Sequence, residues 1–208
     1  VGVVIDNVPP KLDFDIDKIQ KQLNRRRPGQ SEITTPRDEK DVVEILSGVE
    51  NNVTLGTPIC GIVRNKNIKK EDYGFLDYSK YVPRPSHADY TYMMKYGIHA
   101  SSGGGRSSAR ETIGRVIAGS IAELYLTKKY NIEIVAFVNQ IGGIRLDNID
   151  DKLNTITRDE VDKTIVRCPD KEKANMMYNL VKKIKEEGDS IGGSVICVCR
   201  NVPAGIGN

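Results

Sequence analysis

Arg84-Pro-Ser-His-Ala-Asp-Tyr-Thr-Tyr-Met-Met-Lys-Tyr-Gly-Ile-His-Ala-Ser-Ser-Gly-Gly-Gly-Arg-Ser-Ser-Ala-Arg-Glu111 decides how this chain is read. Two histidines, three arginines, five serines and a run of three glycines fall in this one segment. After Ser108, apolar residues Ile113, Val116, Ile117, Ile121 and Leu124 recur at three- and four-residue steps, which predicts an amphipathic helix. Ser108 suits its N-cap, and Glu111 stands at the capping-box position. Upstream, Gly103, Gly104 and Gly105 let the backbone approach a ligand closely and take positive φ. A helix N-terminus carries free N–H groups and partial positive charge, and Arg106 and Arg110 flank it. Each guanidinium can grip a phosphate or carboxylate with two hydrogen bonds. A glycine triplet alone reads as a flexible loop before a buried helix; with Arg, Ser-Ser and Arg around the helix start, an anion site is favoured. The pattern is not a P-loop, because no Gly-Lys-Ser/Thr follows, and no clear strand leads into it as a dinucleotide fingerprint requires.

Composition narrows the partner. The 208 residues include 31 basic and 28 acidic side chains, a net charge of +3, too balanced for a nucleic-acid protein recognised by overall charge. The positive charge is local: Arg25, Arg26, Arg27, Arg37, Arg84, Arg106 and Arg110 all fall in or near the candidate motifs, which suits a small polyanion. No apolar run is long enough to span a membrane as a helix. Cys60, Cys168, Cys197 and Cys199 lack a second pair at metal-ligand spacing, so no metal site is assigned and buried reduced thiols in the cytoplasm are expected. The length fits one domain over residues 1–208, or two small ones, and one is expected. The chain opens at Val1, apparently inside a strand and without an initiator methionine, so a targeting segment could have preceded it.

Strand and helix patterns alternate along the chain. Val1 to Asp6 reads as a strand; Asp15 caps a helix with Ile16, Ile19 and Leu23 on one face, stopped by Pro28-Gly29. Arg25–Arg27 therefore sit at a helix end, and at least one is expected to face ligand. Val42 to Val49 and Val53 to Val63 read as strands joined by the turn Glu50-Asn51-Asn52, followed by a solvated lysine-rich loop from Asn65 to Asp72. Ile132 to Val138 is strand-like, Asp170 opens a helix with Met177, Leu180, Val181 and Ile184 as its stripe, and Ser194 to Arg200 is the last strand. Met176 and Met177 read as core. Val3 to Pro10 and Ile196 to Ala204 echo each other, a strand ending in Asn-Val-Pro, which raises an internal duplication against chance.

Arg84-Pro-Ser-His-Ala-Asp89, Lys95-Tyr-Gly97 and Gly103-Gly-Gly-Arg-Ser-Ser-Ala-Arg-Glu-Thr112 resemble signature segments of the chorismate synthase family. So do Asn24-Arg-Arg-Arg-Pro-Gly-Gln-Ser31, Thr34-Thr-Pro-Arg37, Ile45-Leu-Ser-Gly48 and Glu187-Gly-Asp-Ser-Ile-Gly192, and the resemblance runs along essentially the whole chain. It implies an α+β fold, a β-α-β sandwich with internal pseudo-duplication, usually assembled as a homotetramer. It implies conversion of 5-enolpyruvylshikimate 3-phosphate to chorismate and phosphate by a 1,4-anti elimination that requires reduced FMN without net redox change. In that picture the flavin donates electron density and accepts the proton. Some members reduce their own flavin with NADPH; the sequence leaves this open.

By the same resemblance His87 is the catalytic residue beside the flavin, a side chain able to move a proton near neutral pH. The bland alternative is a structural histidine bonded to Asp89 or backbone. Arg26, Arg27, Arg84 and Arg110 match positions that contact or neighbour the anionic substrate, and arginines stabilise the charge that grows on a departing phosphate. Arg106, Ser107 and Ser108 match a flavin-binding segment. His99 has no matching role and reads as surface or second-layer. Ser86 replaces a common glycine, and Glu32 stands where many members have an arginine, with Arg37 a nearby substitute. The family's Gly-Glu-Ser-His segment is expected before Val1, and further flavin-binding segments after Asn208. The rivals are another flavin or phosphoester enzyme sharing the anion site, an RNA-binding module using the arginines and tyrosines, and a folded but inactive remnant.

Overall fold

A computed structural model describes residues 1–35, 38–65, 82–85, 87–98 and 105–206. Its packing divides into two compact units, residues 1–27 with 39–121 and residues 28–38 with 122–208. Both mix helix and antiparallel sheet, so the chain is α+β as expected.

The first unit is built on a sheet of order β1-β5-β2: β1 Gly2–Ile5, β5 Ile59–Val63 and β2 Val43–Ser47. Along β5 burial alternates with period two, the mark of a strand with one face on the core. Helix α1 (Ile16–Arg26) begins where Asp15 accepts the amides of Asp17 and Lys18, and it buries Ile19 and Leu23. Residues 112–121 of helix α3 (Thr112–Tyr130) bury Ile113, Ile117 and Ile121 in the same cluster. Gly61 allows the close approach: a Cβ there would lie 3.3 Å from Ile117 Cγ2. Each fully buried isoleucine or leucine contributes about 1.5–3 kcal/mol of apolar burial.

The strand expected from Val53 to Val63 is interrupted. Val49–Glu50 (β3) and Val53–Thr54 (β4) form a two-stranded hairpin, turned by Asn51 and Asn52 with φ of 49° and 60°. Gly48, at φ +81°, bends the chain between β2 and that hairpin.

Helix α2 (Asp89–Tyr96) was not anticipated; its C-cap is Gly97 in the left-handed conformation.

The second unit has sheet order β7-β6-β8: β7 Ile144–Arg145, β6 Glu133–Ile141 and β8 Gly193–Arg200. Val135 and Phe137 of β6 face Val161 of helix α4 (Arg158–Asp162) and Ala174 and Met177 of helix α5 (Lys171–Glu186). Asp170 caps α5, and Gly188 at φ +74° ends it. Two expectations fail here. Met176 is exposed, one residue off the buried stripe. Cys197 and Cys199 are exposed too, because β8 turns Ile196 and Val198 toward the core and its cysteines the other way; Cys168 alone is fully buried. Burial pushes the Cys168 thiol up from its ordinary pKa.

The echo is real at the local level: β1 and β8 are each followed by an asparagine at φ 59° and 60°, Asn7 and Asn201, and then by Val-Pro.

Candidate functional site

Arg84, His87 and Asp89 form one compact group. Asp89 opens α2 with its side chain 3% exposed. It takes Arg84 on both oxygens, Nε to Oδ2 at 2.7 Å and Nη2 to Oδ1 at 3.1 Å. His87 Nδ1 lies 2.8 Å from Asp89 Oδ1 and 3.3 Å from Arg84 Nη2. Since Arg84 can only donate, the shorter contact with the carboxylate assigns the ring proton to Nδ1, leaving Nε2 as the acceptor. The structural alternative weighed for His87 is therefore present, and it is the arrangement that prepares an imidazole to take up a proton.

A second group gathers Arg26, Arg110, Glu39 and Asp41. Glu39 and Asp41 are buried. Arg110 Nη1 is 3.0 Å from Glu39 Oε2 and its Nη2 is 3.1 Å from Asp41 Oδ1; Arg26 Nη1 reaches Asp41 Oδ2 at 3.4 Å. Arg27 is the C-cap of α1, its amide donating to the Leu23 carbonyl at 2.8 Å. Arg25 donates to Gln22 Oε1 at 2.9 Å.

The segment that opens α3 departs from the expected capping box. Gly105–Ser107 and Ala109–Glu111 are short 3-10 turns, and α3 starts only at Thr112. Ser108 Oγ accepts the Arg110 amide at 3.2 Å. The Glu111 carboxylate pairs instead with Arg106 Nη1 at 2.7 Å, a charged partner that outcompetes a backbone amide. The amides of Ser108, Arg110, Glu111 and Thr112 all have acceptors within this turn. Arg106 is largely exposed and Ser107 half-buried. Gly103, Gly104, His99, Ser86 and Arg37 lie outside the described residues.

In the second unit Glu32, in the expected arginine's place, meets lysines: Lys182 Nζ is 3.8 Å from its carboxylate and Lys185 Nζ donates to its carbonyl at 2.6 Å. Asp189 to Gly193 line a cavity of about 330 Å³ with Ile33, Val181, Ile184 and Lys185. No cluster of three or more metal-ligating side chains occurs among the described residues.

The chorismate synthase family profile matches residues 1–208, the whole chain. The chain belongs to the chorismate synthase family. The Prochlorococcus marinus (strain NATL1A) chorismate synthase is 55% identical over 207 residues, covering all of this chain and 56% of that protein. The Schizosaccharomyces pombe chorismate synthase is 52% identical over 230 residues, covering all of this chain and 58% of that protein. A crystal structure of chorismate synthase superposes with a TM-score of 0.71 at 27% identity, over 96% of this chain and 54% of that one. The chain thus spans slightly more than half the length of the relatives it matches.

The sequence reading misses Glu39 and Asp41, and it names Asp89 only as the partner of a structural His87. The only available signal was proximity in sequence: Asp89 in the histidine motif, and Glu39 and Asp41 just after Thr34-Thr-Pro-Arg37.

Proposed function

We propose that this chain takes part in converting 5-enolpyruvylshikimate 3-phosphate to chorismate and phosphate, a carbon–oxygen lyase step of the shikimate pathway toward aromatic amino acids. Family membership over the whole chain carries the reading. The 1,4-anti elimination breaks a C–H bond and the C–O bond to phosphate: the C–H pair forms a double bond to the neighbouring ring carbon, the existing ring double bond shifts to the carbon that loses phosphate, and the C–O pair leaves with the phosphate. Positive charge is needed where phosphate leaves, and proton handling where the hydrogen departs.

Arg26, Arg27, Arg84 and Arg110 are the proposed anion-facing set. Arg110 has the strongest geometric support, because its Nε and Nη2 are buried with no hydrogen-bond acceptor among the described residues. His87, with Nδ1 on Asp89, handles a proton through Nε2. Arg106, Ser107 and Ser108 fit an anionic, hydrogen-bonding group. Arg106 keeps donors beyond its Glu111 contact, and Ser108 keeps its own O–H while accepting the Arg110 amide. Reduced FMN, when bound, supplies electron density to the reacting ring. NADPH is the candidate reductant for that flavin, and a cytoplasmic homotetramer is the proposed form. No helix among the described residues is long and apolar enough to cross a membrane.

The test is an anaerobic assay on the full-length protein with enolpyruvylshikimate phosphate and chemically reduced FMN. Chorismate and phosphate in equal amounts are expected. FMN binding without product sinks the proposed reaction.

A further inference from the structure

The geometry points to a division of labour between Arg26 and Arg110: Arg110 grips the anion, and Arg26 is a positioning residue that draws Asp41 Oδ2 to itself, so that Asp41 does not close the Nε/Nη2 edge of Arg110 side-on. The inference rests on the anion-site reading above.

All three nitrogens of Arg26 are engaged within the protein. Nε donates to Thr112 Oγ1 at 3.1 Å, Nη2 to the Ala109 carbonyl at 3.0 Å, and Nη1 to Asp41 Oδ2 at 3.4 Å. Thr112 Oγ1 itself donates to the Ala109 carbonyl at 2.8 Å. Arg26 thus ties the end of α1 to the turn that carries Arg110. Thr112 and Ala109 thereby occupy its Nε/Nη2 edge, so a phosphate cannot take Arg26 side-on there, and one N–H remains on each of Nη1 and Nη2.

Arg110 differs. Its Nη1 is held by Glu39 Oε2 at 3.0 Å. Nη2 lies 3.1 Å from Asp41 Oδ1, close enough for charge attraction, yet off the hydrogen-bond angle, so Nε and Nη2 keep their N–H groups unmatched among the described residues. Nε and Nη2 form one edge of the planar guanidinium, the edge that accepts a phosphate or carboxylate side-on.

Asp41 sits between the two cations with its side chain fully buried. Its backbone takes φ +43° and is held from α1, where Gln20 Nε2 donates to the Asp41 carbonyl at 3.3 Å and Gln20 Oε1 accepts the Val43 amide at 3.1 Å. Arg26 draws Oδ2 one way, while Oδ1 lies 3.1 Å from Arg110 Nη2. Without Arg26, both oxygens of Asp41 can turn onto the Nε/Nη2 edge and close it with a side-on carboxylate. An internal anion then competes with the external one.

The experiment is calorimetric titration of the full-length protein with inorganic phosphate, with circular dichroism confirming the fold. Arg26→Gln is expected to weaken phosphate binding about fivefold or more in the wild-type background, and not at all in the Asp41→Asn background, the coupling a double-mutant cycle isolates. Equal losses in both backgrounds make Arg26 a direct ligand and overturn the inference. So does no loss in the wild-type background, or a wild type that binds no phosphate. If Arg26→Gln does not fold, Arg26→Lys is read by the same criteria, since it keeps the charge but cannot bridge Thr112, Ala109 and Asp41 together. Coupled phosphate binding without chorismate formation leaves this inference standing and sinks the proposed reaction; chorismate formation without the coupling does the reverse.

Discussion

Asp89→Asn tests the histidine site most directly, because it preserves shape and removes charge. Arg84 offers only donors and holds both carboxylate oxygens at 2.7 and 3.1 Å, so in either orientation the asparagine NH2 group meets one Arg84 donor. With the NH2 group at the Oδ1 position it also faces His87 Nδ1, which must then accept, so the ring proton moves to Nε2. Nε2 loses its lone pair and the imidazole can no longer take up a proton there. Misassigning a catalytic tautomer removes most of the general acid–base contribution, on the order of 10²–10³ in kcat. KM is expected to stay within about threefold, because no substrate contact is removed. The stability cost is smaller. Arg84 is 53% exposed, so its lost ion pair costs about 1 kcal/mol after solvent screening. Steady-state kinetics with reduced FMN, beside a flavin-binding titration and a thermal melt, separate the two effects. His87→Ala sets the floor. A folded, flavin-binding Asp89→Asn protein whose kcat lies within about threefold of wild type refutes the tautomer argument.

Two further substitutions test the scaffold. Gly48→Ala places a Cβ 2.7 Å from the Pro58 carbonyl oxygen and 2.8 Å from Ile59 Cα at φ +81°, a clash with backbone that cannot step aside. A loss of at least about 2 kcal/mol in urea unfolding is expected, and an unchanged midpoint counts against it. Glu160 accepts the Thr157 amide at 2.7 Å and hydroxyl at 2.8 Å, and these bonds hold its pKa below the ordinary value. A depressed carboxylate stabilises the fold above its unfolded pKa and loses that contribution as pH falls through the folded value. Glu160→Gln should therefore flatten the fall in stability between about pH 5 and pH 3, and an unchanged slope would argue that these two bonds contribute nothing.

Much of the fold was legible because its local signals agree with its packing. Asp15 and Asp170 cap the helices expected after them, Ile19, Leu23 and Met177 face the cores their spacing indicates, and Asn51-Asn52 turns the hairpin. Helix α2 escaped because Tyr90, Tyr92, Met94 and Tyr96 are all exposed, so its sequence carries no apolar stripe to find. The exposure of Cys197 and Cys199 escaped for a related reason: alternation shows that two residues share a face of a strand, not which face meets the core.

The arginines and the histidine stood out because few reasons place them together. Of their acidic partners only Asp89 was named, as the partner of a structural histidine; Glu39 and Asp41 are two among 28 acidic residues and nothing local marks them as buried. Burial is where their effect arises. A solvated carboxylate beside an arginine is screened and replaceable, whereas one with its side chain nearly sealed from water fixes the direction in which a guanidinium or imidazole presents its remaining atoms. Motif reading therefore recovers the groups that would meet a ligand. The groups that decide which edge of Arg110 and which nitrogen of His87 are left for a ligand emerge only when the chain has folded around them.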